Sequence, residues 1–162
     1  MIGEPRAADL ELVDLESALL RAAVGDYAAE AAVLLLANSG YWLPRLQAAG
    51  LIAIALDGDA AEGGPWAAVQ WGELDGALRR GTVTGSGGEL RVLRAAASLA
   101  DGQAVDLADL TAGVDREELT LLLAALAHAA GSHEHSAVVR DPEGVPHAGG
   151  LLGPVVSWAT RD

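Results

Sequence analysis

Leu12, Leu15, Leu19, Leu20 and Val24 recur at short helical intervals, while Glu11, Asp14, Glu16 and Arg21 fall mostly off that stripe. Residues 10–24 therefore read as an amphipathic helix, ended by Gly25. Asp26 follows as the N-cap of a second helix, 27–38, closed by Gly40. Its second half, AAVLLLA, is apolar on every side, which predicts a helix central to the core. The stretch YWLPRLQAAGLIAIALDGD then admits two readings. Pro44 suits the first turn of a helix. Gly50 either ends that helix and opens a strand, LIAIAL, or sits inside a helix that continues to Asp57 at a cost of about 1 kcal/mol. The continuous helix is preferred. No second strand is evident to pair with LIAIAL, and a lone strand leaves its backbone groups unsatisfied.

Residues 57–65, DGDAAEGGP, read as a loop. Residues 66–80 read as a helix on the spacing of Trp66, Val69, Leu74 and Leu78, weakened by Gly72 and Gly76. Past a second breaker, GTVTGSGG, three helices follow in succession at 89–100, 107–112 and 116–130. Helix, short helix, tight turn, capped helix is the chain order of a helix-turn-helix. Proline and glycine then crowd residues 132–162, which read as an irregular tail or one β-hairpin built from SAVVR and PVVSW. The expected fold is mainly α. A single helical bundle over 1–131 contains a trihelical helix-turn-helix-like unit (89–131), and a short C-terminal tail (132–162) packs back on it through Leu151, Leu152 and Trp158.

Composition sharpens this picture. Of the 162 residues, 34 are alanine and none is phenylalanine. The core must be built from Leu, Val, Ala and a few Trp, and small alanines let helices approach closely. All ten basic residues are arginine, a pattern that a GC-rich coding bias produces, as in an actinobacterium. Without lysine there is no Schiff base and no P-loop lysine. Without cysteine there is no disulfide, thiolate nucleophile or Cys-ligated metal. The net charge of −13 repels nucleic acid and anionic lipid and favours a basic partner. MIGEPRAADLEL lacks the apolar run of a signal peptide, and no apolar run spans a bilayer, so a cytoplasmic protein with no membrane partner is expected.

The third helix of the trihelical unit holds the most pointed question, whether it reads DNA. Asp115 with Glu118 forms a capping box. Leu119, Leu122, Leu123, Leu126 and Ala130 read as the core stripe, leaving Glu117, Leu121, Ala124 and His128 on the opposite face. A recognition helix needs donors for base edges and cations for phosphates. This face offers one flanking arginine, Arg116, and carries Glu117 where phosphate would lie. The glycine-rich turn TGSGGELRVL lacks a phosphate-binding pattern and places Glu89 at a helix start, where it would repel an anion. DGDAAEGG begins like a calcium loop but has Ala61 and Glu62 at positions that need a ligand and a glycine. His133 and His135 form the H-x-H of SHEHS, with His128 five residues before His133, a weak metal signal without HExxH or cysteine partners. No GxSxG exists. Trp42, Trp66, Trp71 and Trp158 must serve the core in the absence of Phe, although aromatics also favour interface centres.

No catalytic residue, metal or cofactor is expected. The preferred function is protein–protein interaction, as an adaptor, regulator or assembly subunit. The partner is a protein, basic or a second copy of the chain, and not a nucleic acid. Leu121, Ala124 and Trp42 are the expected interface. Leu121 and Ala124 are apolar on a face left outside the core stripe, and they require a cover from the tail or from another subunit. A winged-helix DNA-binding regulator and a metal-dependent enzyme using His128, His133 and His135 are the alternatives.

Overall fold

Asp26 Oδ1 accepts hydrogen bonds from the N–H groups of Ala28 and Ala29, each at 3.0 Å, and starts the helix around which the rest of the chain is arranged. A computed structural model describes residues 6–55 and 63–161. Among these, a 3₁₀ turn at Ala7–Asp9 precedes α1 (Leu12–Ala23), α2 (Tyr27–Asn38) and α3 (Trp42–Ala48). Strands β1 (Ile52–Ala55) and β2 (Trp66–Val69) follow, then α4 (Trp71–Arg79), α5 (Gly87–Asp101), α6 (Leu107–Ala112) and α7 (Arg116–Ala129). A 3₁₀ turn at Ser132–Glu134 leads into β3 (Ser136–Arg140) and β4 (Pro146–Leu151). The architecture is mainly helical, with two small two-stranded antiparallel sheets.

Helix α2 lies between α1 on one side and α5 with α7 on the other. Its Ala31, Ala32, Leu35 and Leu36 are almost wholly buried, as the apolar run AAVLLLA predicts. Alanines on the facing helices, Ala95–Ala97 on α5 and Ala124 and Ala125 on α7, are buried as well. Short side chains on facing helices let them pack closely, so much of the core is made by proximity rather than by bulk.

The expectation of a helix running through residues 51–56 is overturned. LIAIAL supplies β1, which pairs antiparallel with β2 in the register Ile52↔Val69 to Ala55↔Trp66. Gly50, at φ +70°, ends α3. The Gly50 N–H donates to Gln47 O and the Leu51 N–H to Leu46 O, both at 3.0 Å, a Schellman closure. The requirement for a pairing partner is met by Trp66–Val69, so the helix expected over 66–80 begins only at Trp71. WAAV is four residues long and two of them are alanine, so it carries almost no alternating signal. The calcium-loop comparison rests mainly on residues 57–62, which lie outside the described residues.

Helix α7 is turned relative to expectation. Leu121 (8% exposed), Leu122, Ala124 and Ala125 face the core. Leu119, Leu123 and Leu126, assigned to the core stripe, are 40%, 44% and 54% exposed. Two polar contacts accompany this rotation. The Glu118 carboxylate lies against Gly88 of α5, where any side chain would strike it. His128 forms a 3.0 Å hydrogen bond with Glu30 of α2. With alanines able to fill a close helix contact, counting leucines selects the wrong face.

The tail is a hairpin, with Val138↔Ala148 and Val139↔His147 in register and a bulge near Ser136. SAVVR is β3, as expected. PVVSW is not a strand, and Pro146–Leu151 pairs in its place. Leu151 and Leu152 are exposed, so the tail does not pack through them; Trp158 alone of the three rests on the core.

Candidate interaction face

Helices α6 and α7 together carry four exposed leucines, Leu107, Leu119, Leu123 and Leu126. Asp106 caps α6, its Oδ1 accepting from the N–H groups of Ala108 at 2.8 Å and Asp109 at 3.2 Å. Arg91 of α5 holds the helix in place, with Nε donating to Asp109 O at 2.7 Å and Nη2 to Asp109 Oδ1 at 2.9 Å. None of the side chains of α6 is buried, and Leu107 is 67% exposed. Between α5, α6 and α7 lies a groove of about 80 Å³. Leu99, Val105, Leu107, Leu110, Leu122 and Leu126 form most of its wall, and Ser98 is the one polar residue there.

The start of α7 is fixed by the capping box read from the sequence. The Glu118 N–H donates to Asp115 Oδ1 and the Asp115 N–H to Glu118 Oε2, both at 2.8 Å. From there the exposed side of the helix runs through Arg116, Leu119, Leu123, Leu126 and Ala130. The intervals are three, four, three and four residues, the spacing of a seam on which helices pair. Thr120 and Ala127 flank the stripe, so it is uncharged along its length apart from Arg116.

The three residues expected at an interface are placed differently. Trp42 is fully buried, Ala124 nearly so and Leu121 largely so, all within this one chain. Their cover is supplied within this chain, where α7 packs chiefly on α2 and α5. Trp42 Nε1 donates to Glu89 O at 2.8 Å, and its ring meets Tyr41 edge-on at 4.8 Å. Trp42 and Leu121 share the wall of a cavity of about 190 Å³ with Glu89, Asp115, Glu117 and Glu118, whereas Ala124 lies away from it. Three of those carboxylates are already engaged in the capping boxes at the starts of α5 and α7.

The histidines divide. His128 and His133 stack at 4.4 Å, and Tyr27 meets the His133 ring edge-on at 4.9 Å. His135 is exposed and takes no part in the stack. Rings stacked in parallel point their nitrogens in parallel planes, and His128 Nε2 is already bonded to Glu30. Among the described residues no group of three or more His, Cys, Asp or Glu could hold a metal ion.

The pair instead anchors the chain beyond β4. Trp158 leans on His128 at 6.3 Å. The Val155 N–H donates to Ser132 Oγ at 3.3 Å. Arg161 grips Glu16 of α1 with both Nη atoms, at 2.8 and 2.7 Å. That doubly bonded carboxylate raises Arg161 above the ordinary guanidinium value. His133 Nδ1 and Trp158 Nε1 are buried in this cluster without hydrogen-bond partners.

The hairpin is the second exposed apolar feature. Val138, Val139, Val145 and Leu151 face solvent, and the two strands pack chiefly on each other. Its turn is closed by Asp141, whose Oδ1 accepts from the Val145 N–H at 2.8 Å and whose Oδ2 bonds His147 Nε2 at 2.9 Å. The His147 hydrogen bond first, and the Val145 N–H second, hold the Asp141 carboxyl below the usual carboxylate range. Among the described residues no helix is long and apolar enough to cross a membrane.

No protein-family model, curated protein or solved structure matches this chain. The exposed stripe of α7 was missed by sequence reasoning because its leucines looked like core. A signal was available: α7 is apolar nearly all round, so two faces compete for one bundle, and the polar groups Glu118 and His128 mark the inner one.

Proposed function

We propose that the protein is a protein–protein interaction module, an adaptor or assembly subunit, whose contact face is the exposed stripe of α7 with the adjoining groove of α6. One observation carries this reading: Leu107, Leu119, Leu123 and Leu126 stand exposed together on neighbouring helices. Contiguous apolar surface of this kind marks interaction sites in folded proteins. The groove offers room for an apolar side chain of a partner helix, the arrangement of helix-in-groove recognition.

The succession α5, α6, α7 is taken as a helix-turn-helix-like packing unit rather than a DNA reader. Arg116 is the one cation on the outer face of α7. The hairpin, in the place of a wing, carries Arg140 alone, and its Nη1 is occupied by Gly144 O at 2.9 Å. With a net charge of −13, a duplex would be repelled.

A photo-crosslinking residue placed at position 123 tests the proposal in the native host, with position 13, exposed on α1, as the control. Protein adducts from 123 and not from 13 are the expected result. Absence of adducts from 123 refutes it.

A further inference from the structure

We infer that the free edge of β2 takes an extended peptide segment of a partner protein as a third strand, with a short apolar side chain at every second position of that segment. The edge is independent of the α7 stripe, since no residue of α6 or α7 lines the cleft beside it.

The hydrogen-bond phase of the ladder shows which groups are left over. Among the described residues β2 pairs with β1 alone. The Gln70 N–H donates to Leu51 O at 2.7 Å. With the register Ile52↔Val69 to Ala55↔Trp66, that bond makes Ala53 with Ala68, and Ala55 with Trp66, the hydrogen-bonded pairs. Ala67 and Val69 therefore turn their N–H and C=O groups away from β1. Among the described residues no backbone group bonds to them. The side-chain donors that reach this stretch bond the residues on either side of it: Arg21 Nε and Nη2 donate to Pro65 O at 3.1 and 2.9 Å, and Gln103 Nε2 to Trp71 O at 3.2 Å. Ala67 is only 2% exposed, so its outward pair is withdrawn from water as well as unpartnered. Buried backbone groups in that state are uncommon and costly.

Beside this edge lies a cavity of about 210 Å³. Ala67, Ala68 and Val69 all line it, and no residue of β1 does. Successive residues of a strand point to opposite faces, so three in a row border one cavity along the strand's edge. Ala22 of α1 and Ala32 and Leu36 of α2 form part of the opposite wall, and no charged side chain lines the space. An added strand would run about 4.8 Å from β2. Its residues opposite Ala67 and Val69 exchange hydrogen bonds with them and carry their side chains on the same face, into the cleft. The residue between them points outward with Ala68, which is exposed. The cavity has room for two short apolar side chains, whereas a charged one would lose its water and find no partner. The recognised pattern is thus apolar, any residue, apolar. A small apolar molecule could fill the same space, but it would leave the outward groups of Ala67 and Val69 unpaired. An extended backbone satisfies both, as in strand addition to a sheet edge.

The probe is a capped peptide, Lys-Val-Thr-Val-Thr-Val-Lys, titrated into the isotopically labelled full chain. The amide resonances of Ala67 and Val69 should shift and their exchange with solvent should slow, while those of α7 stay in place. Val69→Pro removes one outward donor at a position where an edge strand tolerates proline, and it should weaken binding about tenfold. Ala22→Trp, at an exposed position of α1, narrows the cleft without touching the strand and should weaken binding as well. Circular dichroism checks that both variants stay folded. The peptide N-methylated at its valines should not bind. Unchanged Ala67 and Val69 resonances at millimolar peptide overturn the proposal. So does equal binding of the N-methylated peptide, which would mean apolar filling without strand pairing. Slow exchange at Val69 that appears without peptide and grows with protein concentration would make a second copy the occupant, and that too overturns it.

Discussion

Leu121 and Leu123 stand two residues apart on α7, and the structure puts one in the core and the other in solvent. Truncating each to alanine measures which way the helix is turned. A buried Leu→Ala change costs about 2–5 kcal/mol, the transfer of the removed groups plus the cavity left behind. Leu121 borders a cavity of about 190 Å³, so some of its methyl surface already lacks close neighbours. The loss therefore falls in the lower part of the range, about 2–3 kcal/mol. Leu123 is 44% exposed, so its truncation costs about 1 kcal/mol or less. For a domain of this size each kcal/mol moves Tm by about 2–4 °C. Thermal and urea unfolding followed by circular dichroism, at concentrations where the chain is monomeric, should show Leu121→Ala losing about 5–10 °C and Leu123→Ala no more than about 4 °C. The m-value should be the same in both. Equal losses, or a larger loss at Leu123, would show that α7 buries the leucine-rich face and would remove the basis of the proposed contact.

Gly50→Ala should destabilise by about 1–2 kcal/mol in urea unfolding, because an L-residue is forced to φ +70° at the junction of α3 and β1. Trp158→Ala should leave the far-ultraviolet spectrum intact but accelerate proteolysis after residue 152, since the ring is the apolar part of an anchor that also includes the Val155–Ser132 and Arg161–Glu16 contacts. Asp141 has a folded-state pKa below its unfolded value of about 3.9, so its contribution to the hairpin turn is fully present above that value and is lost as pH falls through the folded pKa. The Val145 amide resonance should shift as pH falls below about 4; the same acid shift persisting in Asp141→Asn would refute the assignment to Asp141.

What the sequence reveals here is local chemistry. Asp26 before α2, Asp115 with Glu118 before α7 and the glycine after α1 each act within one helical turn, so the ends of these helices can be read without a fold. The β1–β2 pair could not be read this way, because WAAV is too short and too alanine-rich to alternate. The facing of α7 failed for a related reason. Alanine is nearly silent on hydrophobicity, yet Ala124 and Ala125 are what allow α7 to lie close to its neighbours. The His128–Glu30 contact joins residues 98 apart in the chain, and nothing local to either announces it. The candidate face inherits the same blind spot: its leucines were visible, but which side of the helix they occupied was a property of the packed bundle.

The central position of α2 also has a meaning for synthesis on the ribosome. Its apolar stretch is complete at residue 38, but the partners that cover it include α5 and, last, α7, which ends at residue 129. At translation rates of about 5–20 residues per second, the interval is on the order of 5–20 s. Until α5 is complete at residue 101, AAVLLLA can be shielded only by the elements already made, α1 and α3 among them, or by a chaperone. The nascent chain thus offers a hydrophobic segment to the folding machinery long before its own covering helices exist, and the bundle closes only when the final helix emerges.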